Sequence, residues 1–319
     1  MHERSRAGAA SGAPVTPPVR LPRPLRPGDR VALVAPSGPV DPDALDRGRA
    51  VLAALGLEVV TGAHVLDRNG FLAGADADRA ADLAAAWCDP GVAAVVCARG
   101  GYGATRLLGL LDWAAMRAAG PKILLGSSDI TALHRAFADR LGVATLFGPM
   151  PATRVLGGAD GPDRPTLDRL RQALSGEPVR IEGTTVVVPG RAEGPLTGGN
   201  LTLLAALCGT PYALRARGRI VLLEDVGEQP YRIDRMLTQL LQAGCLDGAL
   251  GFALGSWVGC GDALEVLAER LAPLGVPVLA GLPVGHGAPQ FPVWLEAPAV
   301  LDTASRTLTS AAGPAGTPG

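Results

Sequence analysis

From Arg30 to about residue 150 the chain alternates short apolar runs with amphipathic segments, and this alternation restricts the possible folds more than any other feature. "RVALVAPSG" (Arg30 to Gly38) is apolar until it meets Pro, Ser and Gly, as a strand buried on both faces is before a loop. Leu45, Leu52 and Leu55 then mark a helix stopped at Gly56. "LEVVTG" reads as a second strand, Asp76 to Trp87 as a helix, and "VAAVVCARGG" (Val92 to Gly101) as a third strand. Thr105 to Leu111 begins another helix, "KILLG" is a fourth strand, Ile130 to Leu141 its helix, and "VATLFGP" a fifth strand. Such a pattern builds a doubly wound α/β domain on a mostly parallel sheet. These sheets bind ligands beyond the carboxyl ends of their strands. Three of those ends carry unusual residues: "APSGPV", "ARGGYGATR" and "GSSD".

Beyond residue 150 the pattern becomes mixed. Pro, Gly, Thr and charged residues dominate 151–195, with a helix predicted around Leu167 to Leu174 and a strand at "TTVVVPG". "GGNLTLLAALCG" reads as a short helix, "RIVLLED" as a buried strand, and "QPYRIDRMLTQLLQAG" as an amphipathic helix. "ALGFALGSW", "PVLAGLPVGH" and "FPVWLEAPAVLD" read as strands. The expected division is a flexible tail over 1–27, an N-terminal α/β domain over 28–155, a crossover over 156–194, a C-terminal mixed α/β domain over 195–306 and a flexible tail over 307–319. Neither a signal-peptide core nor a transmembrane run is read, so a cytoplasmic protein with no membrane partner is expected.

Composition narrows the function classes. A formal charge of −1 and 4% aromatic residues argue against a phosphate-backbone or base-stacking surface, so no nucleic-acid partner is expected. The five cysteines are odd in number and form no CxxC, which fits reduced thiols rather than a disulfide framework. No HExxH or Cys/His cluster suggests a metal, and no cofactor is expected.

"GSSD" has two readings. A serine at a strand-to-helix turn is pushed out of the sheet, and the next backbone N–H, that of Asp129, points from the helix N-terminus at an anion. The plainer alternative is that Ser128 or Asp129 caps the helix, and the segment alone favours it. A nucleophile also needs a base and an orienting acid. Of the four histidines, His2 lies in the tail, His64 near a strand edge, and His134 among apolar helix residues; His286, flanked by glycines in "GLPVGHG", is the best base candidate. Glu224 ends an apolar strand, where an unpaired carboxylate is costly, so it needs a partner: a histidine, or Arg232 or Arg235. Asp225 and Glu228 are alternative acids. "ARGGYGATR" could supply loop amides for an anion, and Arg99 and Arg106 could be anion contacts or structural ion pairs.

In order, "VALVAPSGPV", "GFLAGADADRAADLAAAWCDPGVAAVVCARGGYGATRLL", "LLGSSDITALH", "GGNLTLLAALCGTPY", "LLEDVGEQPYRIDRML" and "LPVGHG" resemble the LD-carboxypeptidases of peptidase family S66, over about residues 30 to 302. That group includes muramoyltetrapeptide carboxypeptidases and microcin C immunity peptidases. The resemblance implies a C-terminal domain of swivelling β-barrel type and a catalytic triad of Ser128, Glu224 and His286. It implies an oxyanion hole from the backbone of Asp129 and of Gly101 or Gly100. It also implies a homodimer, a small peptide substrate (a murein tetrapeptide losing its terminal D-alanine), and no cofactor. Cleavage of a peptidyl-nucleotide is the alternative within the family; a non-catalytic anion-binding α/β protein is the alternative outside it. A carboxypeptidase must bind a free carboxylate, for which an arginine such as Arg232, or loop amides, is expected, with Tyr102 of the glycine loop as a further substrate contact. Ser127, beside Ser128, leaves two candidate attacking oxygens, and Phe147 stands where the family often has histidine.

Overall fold

The computed structural model describes residues 19–310. The first half holds β1 (Arg30–Val34), α1 (Pro42–Ala54), β2 (Glu58–Thr61), α2 (Asp76–Cys88) and β3 (Val92–Cys97). It continues with the short α3 (Ala104–Leu107), α4 (Trp113–Ala118), β4 (Ile123–Gly126), α5 (Thr131–Leu141) and β5 (Thr145–Phe147). These strands are parallel, in the order β5-β4-β3-β1-β2. Order reverses between β1 and β3, so their carboxyl ends open the crevice where such folds bind ligands. The helix read from Thr105 to Leu111 ends early, because Gly109 follows and Asp112 starts α4 by accepting the N–H groups of Ala114 and Ala115.

The second half contains α6 (Arg154–Gly157), α7 (Arg164–Leu174), β6 (Val179–Glu182), β7 (Thr185–Val188), β8 (Arg191–Asn200), α8 (Leu201–Ala206) and β9 (Ile220–Val226). After these come α9 (Pro230–Gln242), β10 (Gly251–Val258), α10 (Ala263–Leu271), β11 (Val278–Ala280), β12 (Val293–Leu295), β13 (Pro298–Asp302) and β14 (Thr307–Ser310). A second sheet of eight strands, β6-β14-β13-β8-β9-β10-β11-β7, is parallel from β8 to β11 and antiparallel outside, and curls into a half-barrel.

Three expected boundaries shift. Residues 19–27 of the supposed tail are built in: Arg20 brackets Gly142 and Ala144 by backbone bonds, Leu25 N–H donates to Leu174, and Val19, Leu21 and Leu25 pack on the core. The supposed crossover supplies β6 and β7, which pair antiparallel with β14 and β11, and β6 alternates buried with exposed side chains. Residues 307–310, placed in the C-terminal tail, form β14, which pairs with β13 and β6 and buries Leu308. The rest of both tails, His2 included, lies outside the described residues.

The two sheets are stitched together. β12 leaves the second half to pair antiparallel with β5, burying Trp294. Arg135 of α5 reaches Glu296 at 3.0 Å and Thr197 of β8 at 3.2 Å, all three buried. Thr131, at the start of α5, accepts the Asn200 N–H at 3.0 Å. The carboxyl ends of β8 and β9 are thereby held against the crevice of the first sheet. Among the described residues no helix is long and apolar enough to cross a membrane.

Candidate active site

At Gly126 the chain leaves β4 in a turn that admits no side chain: an added Cβ would lie 2.8 Å from Ile130. Ser127 is extended and Ser128 then adopts φ +61°, a left-handed conformation that costs an L-residue about 1–2 kcal/mol. A single turn, Ser128–Ile130, leads into α5. Strained strand–turn–helix geometry of this kind lifts a serine hydroxyl clear of a sheet.

Neither Ser128 nor Asp129 makes a side-chain cap to the helix that follows, contrary to the plainer reading of "GSSD". The Asp129 carboxylate turns away to accept Ser37 Oγ at 2.6 Å and the Ala104 N–H at 2.8 Å. It therefore caps α3 and ties the loops after β1 and β3 to the Ser128 turn. The glycine loop touches that turn directly. A Cβ on Gly100 would lie 2.9 Å from Ser128 Cβ and 3.2 Å from its Oγ. Gly101 sits at φ +120°, packed on Gly38, and no backbone carbonyl among the described residues accepts its N–H.

The other side comes from the second sheet. Glu224, fully buried near the end of β9, accepts His286 Nδ1 at 2.7 Å. His286 Nε2 lies 3.0 Å from Ser128 Oγ. Gly285 makes this approach possible, because its Cβ would stand 2.2 Å from Glu224 Oε2. Of the alternative acids, Asp225 is committed elsewhere: it accepts Asn200 Nδ2 at 2.9 Å and both the N–H and hydroxyl of Thr202 at 2.9 and 2.8 Å. Glu228 faces Arg232 at 3.7 Å. Asn200 also donates to Glu224 at 3.3 Å.

Burial raises the Glu224 carboxyl above its usual range, and the His286 hydrogen bond only partly offsets it. For His286 burial pulls the pKa down, but the hydrogen bond and charge of Glu224 outweigh it, so the imidazole holds its proton to higher pH than a free histidine. The Ser–His–carboxylate line opens on a cavity of about 300 Å³, walled by Arg99, Gly100, Gly101, Met150, Ala152 and Thr153.

Other candidates lie away from this cavity. Arg232 is exposed on α9, against Tyr231 and Glu228, and does not line it. Tyr102 is half exposed, edge-on to Phe71 with ring centres 5.6 Å apart, and is also outside the lining. Arg106 pairs with Asp76. His134 is buried, bonded to Thr145 and to the Gly126 carbonyl, and burial lowers its pKa to about 4. His64 and Asp67 of the loop before α2 face Asp78 in its first turn, their ligand atoms within 4.8 Å of one another, apart from the cavity. Ser127 is buried and its Oγ accepts Gln290 Nε2 at 3.2 Å. The roles of Asn200, Gln290 and Ser37 escaped the reading of the sequence; "GGN" at the end of β8 and "APSG" after β1 are the local signals for Asn200 and Ser37.

A buried carboxylate, an imidazole and a strained serine hydroxyl in one hydrogen-bonded line, between two α/β layers, are the hallmark of a serine-type hydrolase. The comparisons agree in class. Family models for the LD-carboxypeptidase N-terminal domain and C-terminal domain match residues 31–148 and 193–301. The chain therefore belongs to the LD-carboxypeptidases of peptidase family S66 and is a serine-type carboxypeptidase by class. It is 54% identical to a putative carboxypeptidase of Streptomyces coelicolor over 89% of this chain and 94% of that one. It is 38% identical to a murein tetrapeptide carboxypeptidase of Pseudomonas aeruginosa, over 81% and 88% respectively. The crystal structure of a muramoyltetrapeptide carboxypeptidase from Oxalobacter formigenes superposes with a TM-score of 0.79 at 31% identity, over 88% of this chain and 97% of that one.

Proposed function

We propose that this chain hydrolyses the amide between an L-configured diamino-acid centre and a terminal D-alanine in murein tetrapeptides, with Ser128, His286 and Glu224 as its triad. The observation that carries the reading is the unbroken line Glu224–His286–Ser128, at 2.7 and 3.0 Å, ending on a serine at φ +61°. The relatives named as murein tetrapeptide carboxypeptidases supply the substrate class.

His286 Nε2 takes the Ser128 proton as Oγ attacks the scissile carbonyl. Glu224, bonded at Nδ1, fixes the tautomer and stabilises the imidazolium that forms. The N–H groups of Asp129 and Gly101 hold the tetrahedral oxyanion, each worth roughly 3 kcal/mol of barrier. The imidazolium then protonates the departing D-alanine nitrogen. Water, deprotonated by His286, attacks the acyl-serine carbonyl; the Oγ–acyl bond breaks as the imidazolium returns its proton to Ser128, and the tripeptide is freed. No step calls for a group that the chain lacks.

The test is release of free D-alanine from murein tetrapeptide, measured with chelator present. Stoichiometric tripeptide and D-alanine are expected. Hydrolysis of a peptidyl-nucleotide without D-alanine release would replace this substrate with the family's alternative. Turnover of neither would leave a binding protein.

A further inference from the structure

A carboxypeptidase differs from an endopeptidase in reading a free carboxylate one residue beyond the bond it cuts. A cation close to the reacting serine and not already neutralised suits that task. Arg99 meets both conditions. It immediately precedes Gly100, whose backbone is in contact with Ser128, and its side chain lines the same cavity as Ser128 and His286. It is partly buried. Its one hydrogen bond is from Nη1 to the Pro39 carbonyl at 3.0 Å, and no carboxylate among the described residues pairs with it.

The nearby arginines are in a different state. Arg79 and Arg106 share Asp76, and Arg232 faces Glu228. Arg99, partly buried and without a carboxylate partner, keeps its charge free for an incoming anion. Its setting favours a planar anion. The guanidinium lies against backbone at Gly38 and Gly101, with Nε 3.8 Å and Nη2 4.0 Å from where their Cβ atoms would stand. No side chain there competes for those two donors, and a carboxylate takes such an edge with two parallel hydrogen bonds.

We propose that Arg99 binds the C-terminal carboxylate of the departing residue and so limits the enzyme to cleaving the last bond of its peptide. This assignment rests on the carboxypeptidase reading and gives it a recognition group. It replaces Arg232, which lies outside the cavity. Met150, Ala152 and Thr153 on the same wall bound the space left for the departing side chain.

Binding tests this without turnover. Calorimetric titration compares a tetrapeptide ending in D-alanine with the same peptide ending in D-alanine amide, on Ser128→Ala protein and on the Ser128→Ala/Arg99→Gln double variant. The acid should bind the single variant about 100-fold more tightly than the amide, and the double variant should bind the two alike. Arg99→Lys should recover about a tenth of the preference, because a point charge replaces a fork. Equal binding of acid and amide by the single variant, or an undiminished preference in the double variant, overturns the assignment. D-alanine release by the wild type is scored separately. If it occurs while acid and amide bind alike, Arg99 is wrong and the activity stands. If Arg99 discriminates but no LD-peptide is cut, the anchor stands and the substrate reading falls.

Discussion

Gly285→Ala is the sharpest perturbation of the proposed triad, because it touches no reacting group. Gly285 lies next to the base at φ +110°, and its missing Cβ would fall 2.2 Å from Glu224 Oε2, 2.7 Å from Cδ and 2.8 Å from Cγ. An ordinary carbon–oxygen contact is roughly 1 Å longer than the first of these. Glu224 is fully buried and has no solvent to move into. The carboxylate must retreat from His286 Nδ1 by about that amount, or the His286 loop must. A displacement of that size costs about 100-fold in rate, and complete loss of the orienting carboxylate about 10⁴-fold. Turnover number should therefore fall between these limits, with a smaller change in KM. The backbone at φ +110° adds about 1–3 kcal/mol of strain, which denaturant titration reads separately. The assay is the initial rate of D-alanine release by an oxidase-coupled readout. Gly287→Ala is the control: its Cβ would come no closer than 3.3 Å to the Ser256 side chain, and its activity should stay within a few-fold of wild type. A Gly285→Ala enzyme within threefold of wild type would show that Glu224 does not orient the base.

Other expectations follow from the same contacts. Because Glu224 raises the His286 pKa, and only the neutral ring can accept the Ser128 proton, the acid limb of kcat/KM should lie above pH 6.5. Glu224→Gln should move that limb to lower pH while cutting the rate; an unmoved limb would detach the carboxylate from the titrating base. His134 has a folded pKa of about 4 against 6.5 when free. The unfolded chain takes the proton first, so its contribution is complete above pH 6.5 and is lost on acidification towards pH 4, about 3 kcal/mol in all. Urea titrations should show that slope in the wild type and its loss in His134→Gln; equal slopes would refute it. Asn200→Ala removes the amide that Glu224 and Asp225 share, and should cost about 1–3 kcal/mol, rising with pH as the Glu224 carboxyl, held above its usual range by burial, becomes charged. A loss independent of pH would mean that the amide serves packing alone.

The first sheet was legible because its central strands β1, β3 and β4 are continuous apolar runs that stop at a turn, as strands buried on both faces do. The second sheet was less so. β8 reads "RAEGPLTGGN", with four Gly or Pro residues and no apolar run, yet ten residues of strand form because β9 and β13 pair with it on both sides. β7 was legible in "TTVVVPG", but β6 and β14, four residues each, are below the length at which alternation declares itself and take their structure from neighbours distant in sequence. α10, "ALEVLAERL", has a clear apolar stripe and was overlooked between two strands.

At the site, "GSSD" alone favours a cap, and what sets Ser128 apart is its left-handed backbone, which no local pattern announces. Glu224 and Asp225 look equivalent in "LLED"; strand alternation sends them to opposite faces, one to His286 and one to Thr202. Arg99 carries no signal beyond its charge. Its unpaired state depends on which acids the fold brings near, and Asp76 goes to Arg79 and Arg106 instead.

The most direct test of the account is where a covalent serine probe lands. The protein is treated with a fluorophosphonate, digested, and the adduct located by mass spectrometry, in the wild type and in Ser127→Ala, Ser128→Ala and His286→Ala. The account predicts one adduct, on Ser128, kept in Ser127→Ala, absent in Ser128→Ala and much slower in His286→Ala, with D-alanine release following the same order. An adduct on Ser127, or D-alanine released by Ser128→Ala, would contradict it.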